Sequence, residues 1–249
     1  MSWKPAVIVC ADDFGLSEGI SDTIAGLIEA GSINAASCMT QTPAWPAGAE
    51  RLRAHAAARP DVSLGLHLDL PTPWMSAEAA LAAFQAQWRA FEAGLGRAPD
   101  FVDGHRHVHL FPGPRRALLT LLAGRPARPW LRQSRTSSAR FNLKRAALDP
   151  LSWSFAQVAA AGGHALNPGF GGLRRFDPAE DVAGLWRRDL RAMPRGGLLM
   201  THPGPADPSD PLAACRAQEA GLLAAGAALA ALDDLGLALA GTRTPWAAG

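Results

Sequence analysis

The chain has 249 residues, of which 48% are hydrophobic, and its formal net charge at pH 7 is +2. This composition supports a sizeable core, and the near-neutral charge without a run of five Lys or Arg argues against a nucleic-acid partner. No apolar run reaches membrane-spanning length, and three distant cysteines with no signal-peptide pattern before Asp12 predict a reduced, cytoplasmic protein with no membrane span.

Hydrophobic periodicity predicts strands that alternate with helices along the whole chain. The predicted strands cover residues 6–11, 32–39, 62–70, 99–109, 129–134, 197–201 and 235–240. The predicted helices cover residues 17–30, 46–59, 76–94, 113–124, 141–161 with a break at Pro150, 181–193 and 211–233, and residues 167–176 form a glycine-rich loop. This alternation predicts an α/β fold with a parallel sheet, closed or nearly closed as a (β/α) barrel. No linker divides the chain, so we expect residues 1–249 to form a single domain.

The first strand ends in two adjacent carboxylates, Asp12 and Asp13, followed by Gly15, which allows a sharp turn. The carboxyl ends of parallel strands are where α/β folds build their sites. Two neighbouring carboxylates repel each other, so one of them usually holds a cation or a proton. The alternative is a polar turn in which an aspartate caps the following helix.

Three histidines, His105, His107 and His109, occupy alternate positions after Asp103. On an extended strand, alternation would place all three side chains on one face. Imidazole is the commonest metal ligand near neutral pH, although a cluster of hydrogen-bonded structural histidines is the alternative. We expect His107 and His109 to support the site or pack in the loop rather than to bind a metal, because ligating groups need outer partners.

Two further histidines, His67 and His202, also lie at predicted strand ends, which converge on one mouth of a barrel. A carboxylate and two imidazoles, with the remaining positions left to water, are typical of a catalytic metal site. A second carboxylate could deprotonate the attacking water, and another histidine could protonate the leaving group. Such a set suits hydrolysis of an amide or an ester.

Five blocks carry a resemblance to a known family, and they follow one another over nearly the whole chain. They are ADDFGLSEG, GLHLDL, DGHRHVHLFPG, GFGGLRRFDP and LLMTHPG. In this order they resemble the YdjC-like carbohydrate deacetylases, which include the chitooligosaccharide deacetylases. The resemblance implies a distorted (β/α) barrel, similar to TIM barrels and to polysaccharide deacetylases, that removes acetyl groups from N-acetylated sugars with a divalent metal. It also implies that Asp13, His67 and His105 bind the metal, Asp12 is the general base and His202 is the general acid.

The resemblance implies magnesium as the metal, whereas two imidazoles and a carboxylate favour Zn, Mn or Fe on ligand chemistry. The implied partner is an N-acetylated sugar, and a homodimer rests on the resemblance alone. The alternative function is a carbohydrate-binding or regulatory barrel without turnover, which would need neither a base nor an acid. A metal phosphoesterase is disfavoured, because Arg106 and Arg132 offer few basic groups for phosphate.

Other residues carry two interpretations each. Arg132 either orients Asp12 or has a structural role, and Arg216 and Glu219, one helical turn apart, most simply form an i,i+3 ion pair. The tryptophans could stack on sugar rings, but eight of them in a chain without tyrosine more often indicate core packing.

Overall fold

The computed structural model describes residues 6–138 and 143–240. Its strands are β1 Ala6–Phe14, β2 Ala35–Cys38, β3 Ser63–Leu68, β4 Phe101–Gly104, β5 Trp130–Leu131, β6 Phe170–Gly171, β7 Leu198–Thr201 and β8 Ala238–Leu239. Its α-helices are α1 Glu18–Glu29, α2 Trp45–Ala58, α3 Ala77–Leu95, α4 Pro112–Ala123, α5 Leu143–Ala161, α6 Val182–Ala192, α7 Ala213–Ala224 and α8 Ala227–Asp234. Within these described ranges, no helix is both long and apolar enough to cross a membrane.

The strands pair in parallel in the order β5-β4-β3-β2-β1-β7-β6, and β8 pairs with the first residues of β1. Two isolated parallel bridges, Leu131 with Leu166 and Thr136 with Phe170, join the two ends of this order. The sheet therefore curls into a distorted (β/α) barrel, as the sequence predicts. Its closure rests on two-residue strands and bridges, which is where the distortion lies.

Side-chain alternation along β1 divides the core into two parts. Val7 and Val9 pack in the large cluster that includes helix residues, whereas Ile8 and Cys10 belong to a smaller cluster of inward-facing strand residues. Because strand side chains alternate, Asp12 falls on the same inward side as Cys10. The barrel interior is therefore apolar at its start and acidic at the carboxyl end of β1.

Three predicted elements differ in the structure. Pro150 lies inside α5 without breaking it, and the predicted helix over 211–233 is divided in two at Gly226, whose φ is 75°. The predicted glycine-rich loop contains the short strand β6. Residues 141–142, at the start of the helix predicted over 141–161, lie outside the described residues.

Candidate metal centre and active site

The two carboxylates at the end of β1 are both buried, with 1% exposure for Asp12 and 0% for Asp13. Asp13 has a φ of 69°, in the left-handed region, which is uncommon for a residue other than glycine. Such a conformation costs on the order of 1–3 kcal/mol and is often found at functional sites. Because of this backbone conformation, the Asp13 side chain does not follow the regular alternation of strand side chains. The two neighbouring carboxylates therefore contact different partners.

Asp13 lies together with His67 and His105, as the sequence predicts. The Asp13 Oδ1 atom is 2.9 Å from His105 Nδ1 and 3.3 Å from His67 Nε2. One donor atom from each of the three residues lies within 4.8 Å of the others, so the group could hold a metal ion. Asp13 and His67 are buried and His105 is 27% exposed, which leaves one side of the group accessible. Three protein ligands with an open side are typical of catalytic metal sites.

A set of hydrogen bonds fixes the ring of His67. Its Nδ1 donates to Asp103 Oδ1 over 2.7 Å, and the Ser37 hydroxyl donates to the same oxygen over 2.5 Å. The other ring nitrogen, Nε2, is thereby directed at Asp13, in the way that carboxylates commonly orient metal-binding imidazoles. Burial opposes protonation, but Asp103, Asp12 and Asp13 outweigh it and raise the pKa of His67 to about 10. A metal ion must therefore displace a proton from Nε2.

The three alternate histidines do not share a face, so that prediction is wrong. Strand β4 ends at Gly104, and a 3-10 helix over His105–Leu110 follows, with left-handed φ values of 53° at Arg106 and 59° at His107. The backbone is no longer extended at these histidines, so alternate residues do not share a face. His107 Nδ1 lies 3.0 Å from Ser134 Oγ, and only His105 of the three reaches Asp13.

Asp12 is held by Arg132, which settles the contact that the sequence left open. Arg132 Nη1 donates to Asp12 Oδ2 over 2.6 Å and Nη2 donates to Oδ1 over 2.7 Å. The same guanidinium lies 2.7 Å from Asp103 Oδ2, and all three residues are buried. Asp12, His67 and Asp103 form a second group with metal-ligand spacing. Arg132 engages both oxygens of Asp12 and one oxygen of Asp103, whereas Asp13 Oδ1 faces two imidazoles, so the group around Asp13 is the better candidate for a metal site.

His202 follows β7 and faces Asp12, with 4.0 Å between His202 Nε2 and Asp12 Oδ2. Its backbone N–H donates to Glu219 Oε2, and the ring packs edge-on against Phe176 at a centroid distance of 5.0 Å. Burial lowers the pKa of His202, against the opposite pull of the Asp13 and Asp12 carboxylates. The arrangement places the His202 imidazole beside Asp12, the carboxylate that the family resemblance implies as the base.

The predicted pair between Arg216 and Glu219 does not form, so that prediction is wrong. Arg216 donates to Asp13 Oδ2 and to Asp210 Oδ2, and Glu219 accepts a hydrogen bond from Arg174 over 2.8 Å. Both side chains lie on the buried face of α7, where they meet groups from other elements. Sequence reasoning missed Arg216 as a site residue, because helical spacing carries no information about contacts with distant strands.

A cavity of about 560 Å³ opens above these residues. All five predicted site residues line it: Asp12, Asp13, His67, His105 and His202. Its walls are largely apolar and include Leu148, Leu173, Phe176, Met200 and Leu212. The structure therefore brings the predicted residues together at one accessible cavity.

The tryptophans mostly belong to the core, as their composition suggests. Of the six tryptophans that the structure describes, four are buried: Trp45, Trp88, Trp130 and Trp186. Trp74 is 76% exposed and packs edge-on against Phe111, and Trp153 is 56% exposed. A second cavity, of about 600 Å³ beside Trp153, contains none of the predicted site residues.

Solved structures share the fold. A putative cellobiose-phosphate cleavage protein from Enterococcus faecalis V583 superposes with a TM-score of 0.74 at 18% identity, over 97% of this chain and 98% of that one. The T48 deacetylase, solved with its substrate, gives a TM-score of 0.51 at 13% identity, over 95% of this chain and 87% of that one. At these identities the likeness concerns the fold alone, and it supports a barrel of the polysaccharide deacetylase type.

Sequence relatives include a carbohydrate deacetylase from Mus musculus, 29% identical over 43% of this chain and 44% of the relative. A chitooligosaccharide deacetylase from Yersinia enterocolitica is 31% identical over 43% of this chain and 51% of the relative. The chain thus matches about half the length of these relatives. The model of one family, described as YdjC-like protein, matches residues 6–234. Since this match covers most of the sequence, the chain belongs to the YdjC-like protein family.

Proposed function

We propose that this protein is a metal-dependent carbohydrate deacetylase that hydrolyses the amide bond of an N-acetylated sugar. One observation carries the proposal: an Asp-His-His group with metal-ligand spacing shares a cavity with a carboxylate and a histidine that are 4.0 Å apart. The names of the sequence relatives support the same class of reaction.

The residues fit a divalent metal held by Asp13 Oδ1, His67 Nε2 and His105 Nδ1. Nitrogen-rich ligation favours Zn, Mn or Fe, whereas Mg prefers oxygen donors, so the magnesium implied by the resemblance is the weaker choice on chemistry. A bound metal would polarise the acetyl carbonyl and lower the pKa of a water molecule. Once Nε2 has lost its proton, the hydrogen bond from Nδ1 to Asp103 would keep the free Nε2 directed at the metal.

Asp12 and His202 would divide the proton transfers. Asp12 accepts the proton of the attacking water at a carboxylate oxygen, while Arg132 holds that carboxylate in place. His202 takes up that proton from Asp12 at Nε2 and passes it to the departing nitrogen. The new C–O bond forms first, the C–N bond then breaks as the nitrogen gains its proton, and the products are acetate and an amino sugar. Because Asp12 Oδ2 and His202 Nε2 are 4.0 Å apart, the proton taken from water can be returned to the leaving group with little movement.

The cavity suits a sugar carrying a small acyl group. Its volume of about 560 Å³ lies in the range of small-molecule sites. Apolar walls from Leu148, Leu173 and Leu212 can pack against the acetyl methyl and the apolar face of a sugar ring. Lys144 and His107, which also line the cavity, offer hydrogen bonds to hydroxyl groups.

The proposal is tested by measuring acetate release from N-acetylglucosamine, chitobiose and longer N-acetylated oligosaccharides, with and without a chelator. We expect release that the chelator abolishes and that added Zn²⁺, Mn²⁺ or Mg²⁺ restores. Asp12→Asn is the matched control, since it keeps the size of the side chain and removes the base. Sugar binding without acetate release from any substrate would overturn the proposal and favour the non-catalytic carbohydrate-binding barrel.

Three further expectations stay predictions. They are a single domain over residues 1–249, a cytoplasmic location and a homodimer. Size-exclusion chromatography with light scattering measures the last of these directly.

A further inference from the structure

Arg216 is a buried cation that directly contacts the carboxylate proposed to bind the metal. Its side chain is 2% exposed, and Nη2 donates to Asp13 Oδ2 over 2.7 Å. The two residues are 203 positions apart in the sequence, and α7 brings the guanidinium to the end of β1. An arginine on this carboxylate has a consequence for how Asp13 can bind a cation.

The guanidinium is itself anchored on its other side. Arg216 Nε donates to Asp210 Oδ2 over 2.6 Å, and the second oxygen of Asp210 accepts a hydrogen bond from the Leu212 backbone over 2.7 Å. Asp210 is therefore fixed by its own loop, and Arg216 lies between two carboxylates. Pro211 and Leu212 of this loop line the cavity, so one segment shapes the cavity and holds the guanidinium.

The contact with Arg216 engages one of the two Asp13 oxygens. The other oxygen, Oδ1, faces His105 Nδ1 at 2.9 Å and His67 Nε2 at 3.3 Å. The left-handed backbone at Asp13 and the hydrogen bond from Arg216 together prevent the carboxylate from turning both oxygens towards the histidines. Outer partners of this kind commonly set the orientation of a ligand.

We propose that Arg216 is a positioning residue that makes Asp13 a one-oxygen ligand and directs Oδ1 at the metal. This inference rests on the proposed function, because it needs a metal between Asp13, His67 and His105. It assigns Arg216 no contact with substrate. Asp210 has the supporting role of anchoring the guanidinium.

The experiment titrates Zn²⁺ or Mn²⁺ into the metal-free chain by calorimetry and compares Arg216→Met with Arg216→Lys. We expect Arg216→Met to weaken metal affinity by about 10–100-fold, the usual cost of losing an outer partner. Arg216→Lys keeps a positive donor and should recover part of that loss. A coordination change should also appear in the visible spectrum of the Co²⁺-loaded Arg216→Met variant.

The control is Arg174→Met, which removes another buried arginine that pairs with Glu219 and Glu180 rather than with Asp13. We expect this variant to lose stability but to keep the metal affinity of the wild type. Unchanged or tighter metal binding by Arg216→Met would overturn the positioning role. No metal binding by the wild-type chain would overturn the proposed function and this inference together.

Asp210→Ala provides a second route if Arg216→Met does not fold. Asp210 is 18% exposed, so its removal disturbs the core less than the loss of a buried arginine. We expect a several-fold weaker metal affinity, because the guanidinium loses its anchor but keeps its contact with Asp13. Wild-type affinity in Asp210→Ala would contradict the supporting role of Asp210.

Discussion

Two adjacent carboxylates at the end of one strand carry different arginine contacts. Arg132 donates to both oxygens of Asp12 over 2.6 and 2.7 Å. Arg216 donates to only one oxygen of Asp13, over 2.7 Å, and the other oxygen faces two imidazoles. Both aspartates are buried and both have a cationic partner, so burial and charge alone do not separate their roles.

The number of oxygens left free does separate them. A carboxylate engaged on both oxygens by one guanidinium is fixed in orientation, whereas a carboxylate engaged on a single oxygen can present the other oxygen to a metal. In Asp13 one oxygen accepts from Arg216 and the other faces two imidazoles, and its backbone is left-handed. These contacts support the division that we propose, with Asp13 as the metal ligand and Asp12 as the base, which are also the roles that the family resemblance implies.

The largest expected effect is the loss of metal affinity when Asp13 is changed, and it tests whether only Asp13 of the two aspartates binds the metal. Asp13→Asn removes the ligand charge, and we expect metal affinity to fall by more than about 100-fold, beyond the range typical of outer partners. Acetate release should then fall to the level of the chelated enzyme. Asp12→Asn should bind the metal within a few-fold of wild type, as measured by elemental analysis after dialysis. Equal metal loss in the two variants would contradict the division.

The next effect concerns turnover with the metal retained. Asp12→Asn and His202→Ala each remove one proposed proton-transfer group, so we expect kcat to fall by about two to four orders of magnitude. Metal content and the folded state should stay unchanged, as checked by elemental analysis and circular dichroism. Near-normal kcat in either metal-loaded variant would remove that residue from the mechanism.

A smaller effect compares the two arginines in stability. Arg132 contacts two fully buried carboxylates, Asp12 and Asp103, whereas one partner of Arg216, Asp210, is partly exposed. Breaking a buried pair leaves an uncompensated charge and typically costs about 3–5 kcal/mol. We expect Arg132→Met to lose this much in urea unfolding and Arg216→Met to lose less. A larger loss of stability in Arg216→Met than in Arg132→Met would contradict this expectation and show that the ion pairs of Arg132 contribute less to stability than those of Arg216.

Much of the site could be predicted because its residues lie at strand ends. Asp12, Asp13, His67 and His202 each follow a short apolar run, and parallel strands bring such positions to one mouth. Hydrophobic periodicity is sufficient for this step, since a polar residue directly after a buried strand lies at the carboxyl end of the sheet. The same reasoning predicted the barrel.

The arginine partners were harder to predict: contact of Arg132 with Asp12 was one of two alternatives, and contact of Arg216 with Asp13 was not foreseen. Arg132 reaches Asp12 across 120 residues, and Arg216 reaches Asp13 across 203. Periodicity identifies the buried face of an element but does not say which distant charge that face will meet. The local prediction of an Arg216–Glu219 pair was wrong because both residues face the barrel rather than solvent.

The histidine segment shows a second limit. Alternation of His105, His107 and His109 predicts one shared face only if the chain stays extended. Arg106 and His107 have left-handed φ values although neither is glycine, so the sequence gives no sign of this backbone conformation. As a result the three rings point in different directions. Backbone strain at functional sites is often found where local rules fail.

The smallest expected effect is a pH dependence of stability that arises from His109, which contacts the backbone of Arg132, the partner of Asp12. His109 is fully buried, and its Nε2 donates to the Arg132 backbone oxygen over 2.8 Å, so it helps to fix the segment that carries Arg132. Burial lowers the pKa of His109 to about 4. The unfolded chain, with a histidine pKa near 6.5, therefore binds more protons between about pH 4 and 6.5, and stability must fall as pH is lowered through that interval. For this one group the loss of stability from pH 7 to pH 5 is about 2 kcal/mol.

His109→Gln keeps an N–H donor but does not titrate, so its free energy of unfolding should fall by about 2 kcal/mol less than that of the wild type over the same range. Urea unfolding of both proteins at pH 7 and pH 5, under the same metal conditions, measures the difference, and equal losses would show that His109 is not held neutral beside Arg132.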